Sequence, residues 1–317
     1  MQNLSHLKVS VIIPTYNRGE FLVKTIPMIM GNCYSNFELM IVDQTKEYPD
    51  TIAQELQQLR QQYNFEYHQL DFPNLPLARN YGVWNSSGDI IIFCDDDVIL
   101  DPDYIQNHVQ PYLDDEQVGG VAGRILSAID EAMSHASSNI GKLNPDGTFI
   151  ANFHLEPADR QDADFGMGCN MSFRRSMLAR AGDFDERYRG NFYREEGDAF
   201  ARVKRLGCKV VFEPKAILQH LATQDGGCRK DKYIPRMYYC FKNETLFFMN
   251  CMNYQQLPAF LYRLLRWMYA TTKVNQLGWM TLPYFMSSVL DGMKTYYFEK
   301  PHQLSTSLNL NTTLKLE

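Results

Sequence analysis

Hydrophobic and polar positions follow two alternating rhythms in the first half of this chain. Val9–Ile13, apolar but for Ser10, is a run of the kind buried on both faces of a parallel sheet. Glu20–Met30 follows with helical spacing. Phe37–Val42 predicts a second strand, Asp50–Tyr63 a helix, Phe65–His68 a short third strand and Leu77–Trp84 another helix. Asp89–Cys94 (DIIIFC) is the clearest strand of all. Strands and helices in this order predict an α/β fold with a doubly wound sheet. Ligands of such sheets bind beyond the carboxyl ends of the strands. That directs attention to Pro14–Arg18, Asp43 and Asp95–Asp97.

The rhythm weakens in the middle of the chain. Ser127–Asp164 is polar, contains GKLNPDGTF, and reads as loops and a hairpin over one side of the sheet. Helical patterns return at Arg174–Ala181 and at Glu195–Leu206. Gly207 supplies a stop after the second, and Lys209–Phe212 predicts a strand. From about Asp225 the character changes. GGCRKDK reads as a link, and the rest is rich in aromatics, Met and Leu with scattered Arg and Lys. Two units are expected, an α/β nucleotide-binding domain at 1–225 and a helical C-terminal extension at 226–317.

Composition narrows the classes of function. The 317 residues carry a net charge of -6, which argues against nucleic acid as a partner, since that partner draws on a basic face. Seven cysteines with no C-x-x-C pair read as buried apolar residues or free thiols in a reducing compartment, not zinc ligands. Pro14 interrupts the first apolar run, which is too short for a signal peptide. No stretch reaches the roughly 18 apolar residues of a spanning helix. A cytoplasmic location is expected.

Two acidic clusters are the candidates for chemistry. Asp95, Asp96 and Asp97 directly follow the strongest strand, and three adjacent carboxylates repel one another unless a cation neutralises them. Such oxygen donors suit Mg2+ or Mn2+, which combine protein carboxylates with substrate phosphates. An acidic cap on the helix starting near Pro102 is the plainer explanation, but Asp101 and Asp103 are already placed for it. Glu195, Glu196 and Asp198 open a second helix. Acids there complement the helix dipole, a task for which one or two suffice.

SVIIPTYNR, IVDQT, LPLARNYG, FCDDDV, GCNMSFRR with GDFDE, and REEGD occur in that order. Together, over about residues 8–222, they closely resemble the family 2 glycosyltransferases of the GT-A fold. The resemblance implies that Pro14, Tyr16 and Asp43 hold the nucleobase of a nucleotide-sugar donor, with Arg79 near the nucleotide. It makes Asp97 the direct ligand of Mn2+ or Mg2+, with Asp95 and Asp96 serving the ribose or metal-bound water. Glu196 maps to the base that takes the acceptor hydroxyl proton, with Glu195 its rival one residue away. His220 completes the metal site in some relatives, although a lone histidine is as often structural. Gly168, Cys169 and Asn170 fall on the acceptor side. Two departures stand out. Gln44-Thr45-Lys46 replaces a Ser- or Gly-rich stretch and leaves the base identity open. Glu196 replaces an Asp and adds one methylene of reach.

The resemblance therefore implies an inverting, metal-dependent transfer of a sugar from a UDP-sugar, or a GDP- or dTDP-sugar, to a glycan or lipid-linked acceptor. A non-catalytic nucleotide-binding scaffold of a polysaccharide assembly complex is the alternative, but it has no need of both Asp97 and Glu196. A nucleotidyltransferase would need a glycine-rich phosphate loop after the first strand, and PTYNRGE is not one. The tail Tyr254–Phe298, with Trp267, Trp279, Arg263, Arg266 and Lys273, suits a packed helical cap, a dimer interface, or peripheral contact with the inner face of a membrane. Its cations are few, which favours the cap.

Overall fold

A computed structural model describes residues 7–127, 137–221, 233–274 and 281–301. The chain begins with β1 (Val9–Thr15), α1 (Gly19–Met30), β2 (Phe37–Asp43), α2 (Asp50–Gln62), β3 (Glu66–Gln69), α3 (Leu75–Trp84) and β4 (Ile90–Cys94). β1 lies between β2 and β4 and runs parallel to both, with β3 outside β2. All residues of β1 and β4 are buried, as befits strands covered on both faces.

Next come β5 (Val98–Leu100), α4 (Tyr104–Asp114), β6 (Val118–Leu126), a hairpin of β7 (Lys142–Leu143) and β8 (Phe149–Ile150), and β9 (Gln161–Asp162). β10 (Asn170–Arg174), α5 (Arg175–Ala181), α6 (Glu195–Arg205) and β11 (Lys209–His220) complete the domain. The sheet order is β3-β2-β1-β4-β10-β6-β11-β5, with β9 on β11. The sheet is thus mixed: β10 runs antiparallel between β4 and β6, and β5 antiparallel to β11.

Two local expectations change, and one strand was not expected. The expected strand Lys209–Phe212 runs on to His220 as one element, β11, with an irregular register between Glu213 and Ile217. Asp103 caps α4 without a side-chain hydrogen bond, while the Asp101 carboxylate accepts the Asp103 N–H at 2.9 Å. β6, with three glycines in nine residues, escapes the periodicity because glycine weakens a strand. Its neighbours explain the composition: a Cβ at Gly119 would meet Cys208 at 2.7 Å, and one at Gly120 the Phe200 ring at 2.9 Å.

The C-terminal extension comprises α7 (Tyr233–Cys251), α8 (Leu257–Val274) and α9 (Thr281–Phe298). Met237, Phe241, Phe248, Phe260, Leu264 and Phe285 form a core among them. α7 also faces the α/β domain, where Leu246 and Phe247 cluster with Tyr188 and pack against Phe149. The expected 225/226 boundary, the GGCRKDK link and Trp279 lie outside the described residues. None of the described helices is long and apolar enough to cross a membrane.

Candidate active site

β1, β2 and β4 end at one edge of the sheet, and Thr15 stands opposite Asp43 in register. Asp43 is buried, and its carboxylate accepts the Tyr67 hydroxyl at 2.6 Å and the Thr45 N–H at 2.7 Å. Burial, and then Asp43 itself, hold the Tyr67 phenol well above its ordinary acidity range. Gln44 is also buried, its amide donating to the carbonyls of Phe72 and Asn74 at 3.0 Å each. The Gln-Thr-Lys departure therefore ties this edge to the segment leading into α3. Pro14 is buried in β1, while Tyr16 is half-buried just beyond it.

The three aspartates after β4 have different surroundings. Asp96 turns inward, accepting the Thr15 hydroxyl at 2.5 Å and Arg18 Nη1 at 3.3 Å. Burial pushes its carboxyl up to about 7 against the pull of the Arg18 guanidinium. Asp97 Oδ2 pairs with Arg18 at 3.1 Å, and its Oδ1 lies 3.2 Å from His220 Nε2. Asp95 Oδ2 lies 3.6 Å from the same nitrogen. Topology brings the histidine there. The end of β11 pairs with β5, His220 opposite Val98, and the Leu221 N–H donates to the Asp97 carbonyl at 3.0 Å.

One ligand atom each from Asp95, Asp97 and His220 lie within 4.8 Å of one another. Two carboxylate oxygens and an imidazole nitrogen fit a hard divalent cation such as Mn2+ or Mg2+. Asp96 is not part of this set. Arg18, inside the PTYNR motif, relieves part of the carboxylate repulsion from within the chain. Sequence reasoning singled out the Pro14–Arg18 segment but gave Arg18 no role, although three adjacent acids called for a cation.

The acids of α6 also divide. Asp198 is buried and pairs with Arg202 at 2.6 Å; it accepts from Asn250 at 3.0 Å and Cys251 Sγ at 3.2 Å, both on α7. Glu195 is buried and ion-paired with Arg79. Glu196 is half-buried. Its carboxyl is raised, first by burial and also by Asp95, with the Arg79 and Arg194 cations opposing the rise. Asp95 and Glu196 thus lie in one electrostatic field.

Arg79 and Asn170 face elsewhere than expected. The Arg79 guanidinium, 2% exposed in its side chain, turns to Glu195 and donates to the Gly168 carbonyl at 3.3 Å. It also lies 5.4 Å from the centroid of Phe184. A Cβ at Gly168 would collide with that guanidinium, so the glycine serves the arginine's approach. Cys169 is buried. Asn170 points into the sheet, donating to the carbonyls of Arg124 at 2.8 Å and Ala216 at 3.0 Å, with His108 Nε2 2.8 Å from its Oδ1. Its amide supports the strands and does not line an acceptor surface.

Residues 10–182 match the family model described as Glycosyl transferase family 2. The amylovoran biosynthesis glycosyltransferase AmsB of Erwinia amylovora is 24% identical over 244 residues, 73% of this chain and 75% of that protein. A Rickettsia conorii glycosyltransferase is 26% identical over 153 residues, and the match spans 48% of this chain but only 22% of that longer protein. Among solved structures, TarS 1-349 of S. aureus in complex with UDP-GlcNAc has a TM-score of 0.62 at 14% identity, covering 92% of this chain and 82% of that one. The mannosyltransferase PcManGT of Pyrobaculum calidifontis, in complex with GDP-Man and Mn2+, has a TM-score of 0.57 at 15% identity, covering 93% and 88%. At such identities the likeness shows the fold.

Proposed function

The chain belongs to glycosyl transferase family 2, and we propose that it is an inverting enzyme that moves a sugar from a nucleotide-diphosphate sugar to a glycan or lipid-linked acceptor. Its architecture is the mixed α/β sheet of the GT-A glycosyltransferases with C-terminal helices, and glycosyl transfer is its activity. A UDP-sugar is the donor in this reading, in line with the UDP-GlcNAc bound to TarS.

The observation that carries the reading is the half-buried Glu196, in the field of Asp95, whose neighbours Asp97 and His220 complete a metal-type cluster. The acceptor hydroxyl oxygen attacks the anomeric carbon opposite the leaving group. Its bond to that carbon forms as the bond to the diphosphate oxygen breaks, and the electron pair leaves with the nucleoside diphosphate. The hydroxyl proton goes to Glu196. Burial strengthens this carboxylate as a base, and the Arg79 and Arg194 cations oppose the rise. Asp95, Asp97 and His220 would hold Mn2+ or Mg2+, which supplies charge neutralisation for the departing diphosphate; the Mn2+ in the PcManGT complex supports that metal. Arg18 and Thr15 keep Asp96 inward and so fix the turn from which Asp95 and Asp97 project. Pro14, Tyr16 and Asp43 form the nucleobase side in this reading, and Gln44 ties it to the segment leading into α3.

A growing glycan as acceptor is supported by the role of AmsB in amylovoran biosynthesis. Exposed Leu257, Leu261 and Leu265 on α8 and Leu290 on α9 support peripheral contact at the inner, cytoplasmic face of a membrane, where a lipid-linked acceptor is presented.

Glu196→Gln tests the reading. The amide keeps the size of the side chain and cannot take up the hydroxyl proton, so transfer should fall at least about 100-fold. UDP-sugar binding, measured by calorimetry on the same preparation, should stay unchanged. Transfer at the wild-type rate would overturn the assignment.

A further inference from the structure

Immediately before the acidic pair, Arg194 holds a left-handed backbone with φ 79° and ψ -4°, a region that disfavours any residue with a Cβ. Such a conformation persists where the surroundings over-determine it. The surroundings here belong largely to the C-terminal extension. Glu244 of α7, fully buried, accepts Arg194 Nε at 2.7 Å and Nη2 at 3.1 Å. Arg263 of α8 closes on the same carboxylate and donates from Nε to the Asp146 carbonyl at 2.7 Å. Arg194 Nη2 also donates to the Gly147 carbonyl at 2.9 Å, and the guanidinium sits 3.6 Å from the centroid of the Phe149 ring.

The rest of the polar face of α7 grips the same stretch of chain. Asn243 donates to the Arg189 carbonyl at 3.0 Å, and Asn250 to Asp185 at 3.1 Å and Asp198 at 3.0 Å. A buried ion pair contributes less to stability than well-packed apolar groups of the same volume. What it supplies is direction: a guanidinium fork meeting both oxygens of one carboxylate admits a single orientation.

We propose that Glu244 is a positioning residue for sugar transfer: by clamping Arg194, the helical extension sets where the Glu196 carboxylate stands. The proposal rests on Glu196 as the base. The α/β domain therefore presents its base correctly only with α7 docked. The donor side, built from the ends of β1, β2 and β4, lies outside the clamp.

The test uses the full chain with two variants, Glu244→Gln and the paired Arg194→Met/Glu244→Met. The paired variant removes the two fully buried charges together, while Arg263, 17% exposed in its side chain, keeps its bond to the Asp146 carbonyl. Calorimetric UDP titration counts donor-binding sites, so that kcat is expressed per competent site. Both variants should lose about tenfold or more in kcat, with the donor KM held within about twofold, the signature of a displaced catalytic group. The thermal midpoint of the paired variant should stay near that of the wild type. A wild-type kcat per site in the paired variant overturns the proposal. Equal losses of kcat and donor affinity, the mark of general loosening, also overturn it. Failure of the paired variant to fold would make the clamp a folding element and equally overturn it. Glu196→Gln is measured alongside. If that variant transfers normally, the base reading falls and takes the clamp with it; if it is inactive while the paired variant turns over normally, only the clamp falls.

Discussion

Asp95, Asp96 and Asp97 share a composition and a position but not an environment. Asp96, held by Thr15 and Arg18, is pushed up to about 7 by burial. Asp95 and Asp97 face His220. This division predicts unequal effects of substitution. Asp97→Ala should remove the part of UDP binding that depends on Mn2+, seen as loss of the metal-enhanced rise in melting temperature, since a ligand stabilises the folded state by mass action. UDP affinity that is the same with and without EDTA in the wild-type chain would contradict the metal assignment. The candidate cluster was visible in the sequence as three acids after a buried strand. The family resemblance pointed to Asp97 and His220, but what holds Asp96 apart was not visible, because it depends on Arg18, 78 residues from Asp96.

Between elements, the Arg79–Glu195 pair joins α3 to α6 with both side chains 2% exposed. The family resemblance implied Arg79 near the nucleotide and left Glu195 a rival for the base; the geometry gives each a partner in the other. Glu195→Gln should therefore act mainly on stability. Removing one member of a buried pair strands the other charge, at a cost of about 3–5 kcal/mol, which urea unfolding would register. Turnover per folded molecule should fall far less than in Glu196→Gln. If Glu195→Gln instead keeps full stability and loses transfer, the roles of the two glutamates are exchanged. β6 makes the same point for a whole element. Its glycines hide it from periodicity, and the reason for them is Phe200 and Cys208 pressing from elsewhere in the fold.

At the scale of the molecule, the extension has two faces. Phe260, Leu264 and Met268 of α8 turn inward to the helical core. Leu257, Leu261, Leu265 and Tyr269 remain exposed with Arg266 and Lys273 beside them, and Met286, Leu290 and Tyr297 continue the surface on α9. An apolar row flanked by cations suits an anionic lipid interface. The full chain should sediment with anionic vesicles, and Leu261→Glu/Leu265→Glu should release it while UDP binding persists. Equal partitioning of the two proteins would remove the membrane from the proposal. Shortening the chain near residue 225 is a poorer probe, because it would strip Glu244 from Arg194 and uncover Tyr188.

The alternation of strands and helices, the sheet edge where ligands gather and the two acidic clusters were all present in the sequence by itself. Apolar periodicity is a local property, and polar residues after buried strands mark the edge directly. Tertiary structure alone decided what holds the other acids of each cluster inward, that β10 runs antiparallel within the sheet, and that α7 grips the start of α6. These outcomes turn on burial and ion pairing between distant positions, such as Arg194 and Glu244, 50 residues apart. A carboxylate's exposure and acidity follow from what packs against it, and in this chain those neighbours arrive only when the sheet and the helical extension close on one another.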